Sequence, residues 1–434
     1  MTVTAVIMIP LFGFLGLMPP TKVYSYLGNG PLLLIFGATI LIGLLKESGV
    51  TLRYAYWILT RPFIKGNMRR LLIVFTLSVG LLSAIAPNVP LAILFVYIVL
   101  NLGRSCNIPG GDKLMRGLTV LSGAAPAIGG IGTPLGGAPN LIVIALVAKV
   151  LSYDVSFWEW SIIGMPLTVI SLLIMSIIAA FYFRSPSRNE ILDGDFLTIK
   201  LRELGPVSRY EHIAIIMLAI AIFLWITGPS IAKLSNWPAG KVLLNTSSVA
   251  IIVGAVTFLV PLRKNKEGRI EFAMTWKQAK DNISWDSLII LMGILAFGDV
   301  LLAGGVDKWM AASIQSILGD VSGIWVMFFL ILFTGLTSQV ISNIALIALL
   351  IPMTANLAAI YGFNALAACI AVGMTSNIAI MFPFSSVTVA AAYMGGGEYV
   401  RTKDFALFGF ITSIVISIGV FLITCLFGGI IFPL

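Results

Sequence analysis

Two asparagines, Asn88 in Ala-Pro-Asn-Val-Pro and Asn343 in Val-Ile-Ser-Asn-Ile, sit in the middle of long apolar stretches. A carboxamide carries two N–H donors and a carbonyl oxygen, so each can donate to an anion or present oxygen to a cation. Two irregular segments add to this chemistry. Positions 129–140 run Gly-Gly-Ile-Gly-Thr-Pro-Leu-Gly-Gly-Ala-Pro-Asn, and positions 381–388 run Met-Phe-Pro-Phe-Ser-Ser-Val-Thr. Such runs interrupt a helix, and irregular backbone at membrane depth is tolerated only where protein or a watery cavity surrounds it. The half-helix ends so created expose N–H groups that suit an anion and carbonyls that suit a cation. Other chemistries have little to build with. His212 is the only histidine, and Cys106, Cys369 and Cys425 are isolated, without metal-ligand spacing or the pairing a disulfide framework needs. No His pair, catalytic dyad or cofactor motif lies in any apolar segment, so the chain is expected to be no enzyme and to need no organic cofactor.

The elements that must position these groups follow from composition. Of 434 residues, 59% are hydrophobic and 10% charged, against roughly 25% charged in an average soluble domain. Apolar runs long enough to cross a bilayer as helices recur from end to end, which predicts an all-α polytopic protein of the cell (plasma or inner) membrane and not a barrel. The N-terminus lacks a basic region before its apolar run and is expected to be a first membrane segment, not a signal peptide. The net charge of +9 sits between apolar runs. It is a topology signal, since cytoplasmic loops collect Lys and Arg, and nucleic acid is not an expected partner.

Basic residues flank positions 71–102 on both sides: Lys46, Arg53, Arg61, Lys65, Arg69 and Arg70 before, Arg104, Lys113 and Arg116 after. Two short helices entering and leaving on one side satisfy the charge rule at both ends, so 71–102 is predicted to be a re-entrant hairpin with Asn88 at its tip. Positions 117–151 form a broken helix, 160–183 return to the cytoplasm, and 184–211 form a polar cytoplasmic linker. The segment 212–434 repeats the pattern. Leu32–Val50 aligns without a gap on Leu288–Val306, placing Gly37 on Gly293 and Gly49 on Gly305, and Asn88 falls within one residue of that register on Asn343. A second hairpin is expected at 323–360 and a second broken helix at 364–395. The loop after the first aligned helix is strongly basic, whereas 303–322 hold Lys308 against Asp307 and Asp320. Residues 1–183 and 212–434 are therefore expected to be inverted repeats, a transporter architecture.

The Asn88 and Asn343 tips, the 129–140 break and Trp285-Asp286-Ser287-Leu288-Ile289-Ile290-Leu291-Met292-Gly293 resemble the divalent anion/sodium symporter family, the INDY-type dicarboxylate carriers, over nearly the whole chain. The resemblance implies scaffold and transport domains, elevator-type alternating access, a homodimer, and carriage of small anions. C4-dicarboxylates lead, with citrate or sulfate also carried in the family, by sodium coupling or anion exchange. It places Ser83, Pro87, Asn88 and Gly136 at one sodium site, Ser338, Ile341, Asn343 and Ser385 at another, and Thr133 as an additional candidate. Asn88, Val89, Gly137, Ala138, Ser342, Asn343, Ile344, Ser386 and Val387 would face the substrate. The family carries Ser-Asn-Thr at both tips. Here the tips are Pro87-Asn88-Val89 and Ser342-Asn343-Ile344, and Gly137 stands where a hydroxyl residue is usual. Each lost donor to a buried anion costs roughly 1–3 kcal/mol, so either the substrate differs or backbone N–H groups carry the load. The chain also starts where the family's second helix stands.

Blander readings attach to the same residues. Gly-rich stretches also serve close helix packing, and the asparagines could simply bridge helices. Their recurrence at matching positions favours a site. Asp299 is expected near the outer end of its span, solvated, and less favoured as a proton carrier. Lys46 and Glu47 are expected to snorkel, and Trp57, Trp276 and Trp309 to anchor at the interface. Competing functions are an arsenite or sodium/proton antiporter of the same superfamily, for which the first tip lacks an acid, and an ion channel, against which two inverted hairpins in one chain argue.

Overall fold

A computed structural model describes residues 2–62, 67–105, 108–109, 111–183, 196–234, 239–264 and 268–431. Lys65, Cys106 and the first part of the predicted linker, 184–195, lie outside these. The chain opens with α1 (Thr2–Phe14), α2 (Pro20–Ser25), α3 (Gly30–Ser48) and α4 (Val50–Leu59). α3 ends because Gly49 turns left-handed, φ 85°, and its N–H caps the Lys46 carbonyl. Next come α5 (Met68–Ser83), capped by Asn67, α6 (Asn88–Ser105), and α7 (Lys113–Gly129), capped by Asp112. α8 (Ala138–Leu151), α9 (Phe157–Tyr182) and α10 (Phe196–Glu203) complete the first half, so the linker holds a helix of its own.

The second half holds α11 (Arg209–Leu234), α12 (Gly240–Leu243) and α13 (Thr246–Val256), then a small antiparallel hairpin of β1 (Pro261–Lys264) and β2 (Ile270–Phe272) within the basic loop. After α14 (Trp276–Asn282) follow α15 (Trp285–Ala303), α16 (Val306–Leu318), α17 (Gly323–Thr337), α18 (Asn343–Tyr361), α19 (Ala365–Ser376), α20 (Val387–Gly396) and α21 (Thr402–Ile431). Among the described residues eight helices are long and apolar enough to cross a membrane. The chain turns by 115° between α16 and α17, which separates the amphipathic α16 from the second hairpin.

Each segment expected to be a hairpin or a broken helix holds a pair of helices: α5 and α6, α7 and α8, α17 and α18, α19 and α20. From α3 to α9 and from α15 to α21 the same series recurs: long helix, short helix, hairpin pair, broken pair, long helix.

The chain divides into two compact units, each drawing on both halves. Unit 1 comprises residues 1–50, 144–159 and 206–309. In it α13 packs on α3 and α1 packs on α15, an exchange between the halves. The aligned glycines make both crossings possible. A Cβ on Gly37 would run into the backbone of Ala250 and Ile251 on α13, and one on Gly293 would lie 2.7 Å from the Ala5 Cβ on α1. For these glycines the close-packing role holds.

One side-chain expectation changes in unit 1. Asp299 is not solvated: its carboxylate is 15% exposed and pairs with Lys149, and at 3.2 Å with Lys22. Lys149 also donates to the Leu295 carbonyl at 2.8 Å. Taking a carboxylate out of water is costly, and the paired ammonium groups offset that cost. Lys46 and Glu47 share a partner, since Lys46 donates to the Asn282 side-chain oxygen and Asn282 donates to Glu47, each at 3.1 Å.

Unit 2 comprises residues 51–143, 160–205 and 310–434 and holds both hairpins, the first break with the start of α8, and all of α19 and α20. Its interior is built on the two discontinuous helices. α7 packs against α5, α6 and α20, while α19 packs against α17, α18 and α21. Small residues let neighbours approach: a Cβ on Gly123 would lie 2.9 Å from the Thr388 carbonyl, and one on Gly129 would overlap the backbone of Gly80.

Candidate anion and cation site

At the first tip, α5 ends at Ser83 and Asn88 opens α6, with residues 84–87 turning the chain between them. The Ser83 hydroxyl lies 2.5 Å from the Asn88 side-chain oxygen and 2.8 Å from the Pro126 carbonyl. One hydroxyl proton serves two acceptors here, so three oxygens from two hairpin residues and α7 gather around a single hydrogen. The break wraps this cluster. A Cβ on Gly130 would lie 2.6 Å from the Gly136 carbonyl and 3.2 Å from the Asn88 carboxamide carbon. Gly136 presses in turn on Gly130, so bare backbone is required at both positions. Gly137 differs: a Cβ there meets only Pro139 at 3.5 Å and the Asn88 side-chain nitrogen at 3.8 Å.

Asn140 and Trp160, which the sequence left without a role, and the candidate Thr133 hold the first break in its irregular course. Fully buried Asn140 donates from Nδ2 to the carbonyls of Gly130 (2.7 Å) and Thr133 (2.8 Å). The Trp160 indole donates to the Ile131 carbonyl at 2.9 Å. The Thr133 hydroxyl donates to the Ala84 carbonyl and accepts from the Leu135 N–H. Thr133 thus ties break to tip.

The second tip and break meet differently. Gln339, 1% exposed, accepts the N–H groups of Ile380 and Met381, both at 2.9 Å, and donates to the carbonyls of Ile378 (2.5 Å) and Gly335 (2.7 Å). One amide therefore replaces the backbone partners that a helix would have supplied. The tip itself is less closed than the first. Ser338 and Ser385 donate to the carbonyls of Gly335 (3.0 Å) and Phe382 (2.7 Å). The Asn343 side-chain oxygen is buried with no hydrogen-bond partner among the described residues. Ser342 stands at the N-cap position of α18, and the Ser386 side chain caps α20 by accepting from the Val389 N–H, so Asn343, Ile344 and Val387 sit in first turns whose N–H groups have no intrahelical acceptor. Ile341 and Val387 are exposed. Val89 and Ala138 hold the matching first-turn positions of α6 and α8, with Pro87 just before α6.

The two halves join. Asn377, the first residue after α19, donates from Nδ2 to the Asn140 side-chain oxygen at 3.2 Å. Hydrogen bonds therefore gather the two tips and two breaks into one polar centre inside unit 2. Polar residues buried inside a span were the signal for Gln339, Asn140 and Asn377; what each one holds could not be read from the sequence.

A multi-pass helical protein of the cell membrane, with paired hairpins and paired broken helices around a polar centre, is a transport protein and not an enzyme. The chain belongs to the citrate transporter family (CitMHS), whose pattern matches residues 1–373 and 246–433. This bears out the divalent anion/sodium symporter resemblance. Among its relatives, the "sodium-dependent dicarboxylate transporter SdcS" of Staphylococcus saprophyticus is 28% identical over 78% of this chain, an alignment spanning 65% of that protein. The protein of the same name from Staphylococcus aureus (strain USA300) is 26% identical over 94% of this chain and 78% of its own length. The crystal structure of the Alcanivorax borkumensis YdaH transporter shares the fold with a TM-score of 0.60, at 14% identity, over 95% of this chain and 88% of that one.

Proposed function

We propose that the protein is a secondary active transporter of small anions, C4-dicarboxylates first, coupled to sodium, with residues 1–183 and 212–434 as inverted repeats and 184–211 as their cytoplasmic linker. The observation that carries this is the joining of both tips and both breaks by hydrogen bonds within unit 2. The carriers named for sodium-dependent dicarboxylate transport, similar over most of the chain, support the substrate and the ion. Unit 2 is read as the transport domain and unit 1 as the scaffold of an elevator mechanism, in a homodimer.

The residues suit sodium, a hard cation that prefers oxygen. At the first tip Ser83, Asn88 and the Pro126 carbonyl cluster around one proton, and at the second the Asn343 oxygen lies buried without a hydrogen-bond partner among the described residues. A cation beside each asparagine would supply positive charge near the N-termini of α6, α8, α18 and α20, where a dicarboxylate can take N–H donors. Backbone and carboxamide donors stand in for the hydroxyls missing at positions 89, 137 and 344.

The test is uptake of labelled succinate by proteoliposomes with and without a sodium gradient. Asn88→Ala and Asn343→Ala are each expected to lower uptake about fivefold or more, as losing roughly 1–3 kcal/mol of binding to a buried charged ligand would. Uptake at the parental rate in both variants would remove the site assignment. Gradient-independent uptake that requires internal succinate would replace symport by exchange.

A further inference from the structure

Resting on the carrier reading above, we infer that the Asn140–Asn377 hydrogen bond is a positioning contact that couples the two half-sites, so that filling one raises the affinity of the other. Each half-site is wired to this bond. On one side the Asn140 Nδ2 holds the carbonyls of Gly130 and Thr133, Gly130 lies against the Asn88 carboxamide, and Thr133 bonds the Ala84 carbonyl in the first tip. On the other side Asn377 precedes Ile378, whose carbonyl accepts from Gln339, and Gln339 adjoins Ser338 in the second tip. A continuous polar path thus runs from tip to tip through two carboxamides.

The wiring fixes both donors and the acceptor of Asn140: its N–H groups face the first break and its oxygen faces Asn377. Any shift of the 130–133 backbone as a cation settles by Asn88 therefore moves the acceptor that Asn377 meets. Asn377 also donates to the Gly373 carbonyl, 3.2 Å away, at the end of α19, so the displacement reaches the start of the second break. Neither asparagine needs to touch sodium or substrate for this role.

The purified full-length protein in detergent provides the test through its unfolding temperature in a sodium titration, with and without saturating succinate. In the parent, succinate is expected to lower the sodium concentration for half-maximal stabilisation by about fivefold or more, the lower range of measured coupling between sites. In Asn377→Ala each ligand alone still raises the unfolding temperature, while the succinate-induced shift falls below about twofold, well under the roughly fivefold at which typical coupling between sites begins. Asn377→Leu, which keeps the volume and removes the donor, gives the same reading should the alanine variant fail to fold. A variant that keeps the parental shift overturns the coupling role and leaves the carrier reading intact. A parent that responds to neither sodium nor succinate overturns the carrier reading and the coupling with it.

Discussion

The two asparagines at the tips have different surroundings: the Asn88 oxygen accepts from Ser83, whereas the buried Asn343 oxygen has no hydrogen-bond partner among the described residues. The difference lies in a few glycines. Gly130 has a helical φ of −60°, so alanine would fit its backbone, yet the methyl would lie 2.6 Å from the Gly136 carbonyl and press on Asn88. Gly130→Ala is expected to lower the unfolding temperature, because the 136 backbone or Asn88 must shift, and to lose most sodium-dependent uptake; normal sodium dependence would show that the first cluster is not a cation site. Gly137 is the opposite case. Its extended backbone, φ −173°, admits any residue, and its would-be Cβ meets only ordinary contacts. Gly137→Ser should restore a donor and lower the KM for succinate about fivefold, a gain of about 1 kcal/mol; a raised KM in proteoliposome uptake would show that the position does not face the anion. Asn88 and Gly137 were legible as residues because Pro and Gly punctuate the chain locally. Asn140 and Gln339 were not given roles, because their partners lie in segments that sequence spacing does not bring together.

At the scale of elements, punctuation in the sequence located the helix ends within each expected hairpin and broken helix, since an interrupted apolar run announces itself. Partner choice was hidden. The solvated end expected for Asp299 gives way to a cluster in which α15 supplies the carboxylate, α8 supplies Lys149 and α2 supplies Lys22. Removing one member of a buried pair leaves an uncompensated charge and costs roughly 3–5 kcal/mol, whereas an exposed pair contributes about 0–1 kcal/mol. Lys149 is 18% exposed and Lys22 53%. Asp299→Asn and Lys149→Met should therefore lower the unfolding temperature in detergent by several degrees or more, and Lys22→Met should hardly change it. Equal losses from both lysine variants would mean that burial does not set the strength of this cluster.

For the whole molecule, the proposed inversion of the halves has a direct consequence. Arg70 precedes the first hairpin and Lys308 lies on α16 before the second, and both are exposed. In a background with the three native cysteines replaced, Lys308→Cys in intact cells should react with an impermeant maleimide, and Arg70→Cys only after permeabilisation. Labelling of both from the same side would end the inverted-repeat reading. The paired glycine crossings agree with two related halves: Gly37→Ala and Gly293→Ala each force α13 or α1 to move, and each should cost about 1–3 kcal/mol, as overpacking of a tight contact does, read as a lowered unfolding temperature.

The sequence by itself determined a membrane protein with two copies of hairpin and broken helix, because hydropathy, charge asymmetry and Gly/Pro interruptions are local properties that the bilayer reads directly. It also marked Asn88 and Asn343, since an uncompensated polar group in hydrocarbon is costly enough to need a reason. Tertiary structure decided which of the remaining polar groups serve one another: Gln339 with the second break, Asn140 with the first, Asn377 between them, and Asp299 with two lysines. It also decided that compact units follow neither half of the chain, residues 1–50 joining 206–309 in one and residues 51–143 joining 310–434 in the other. Those choices come from packing between segments far apart in sequence, where each buried donor must find an acceptor and each glycine a neighbour close enough to need it.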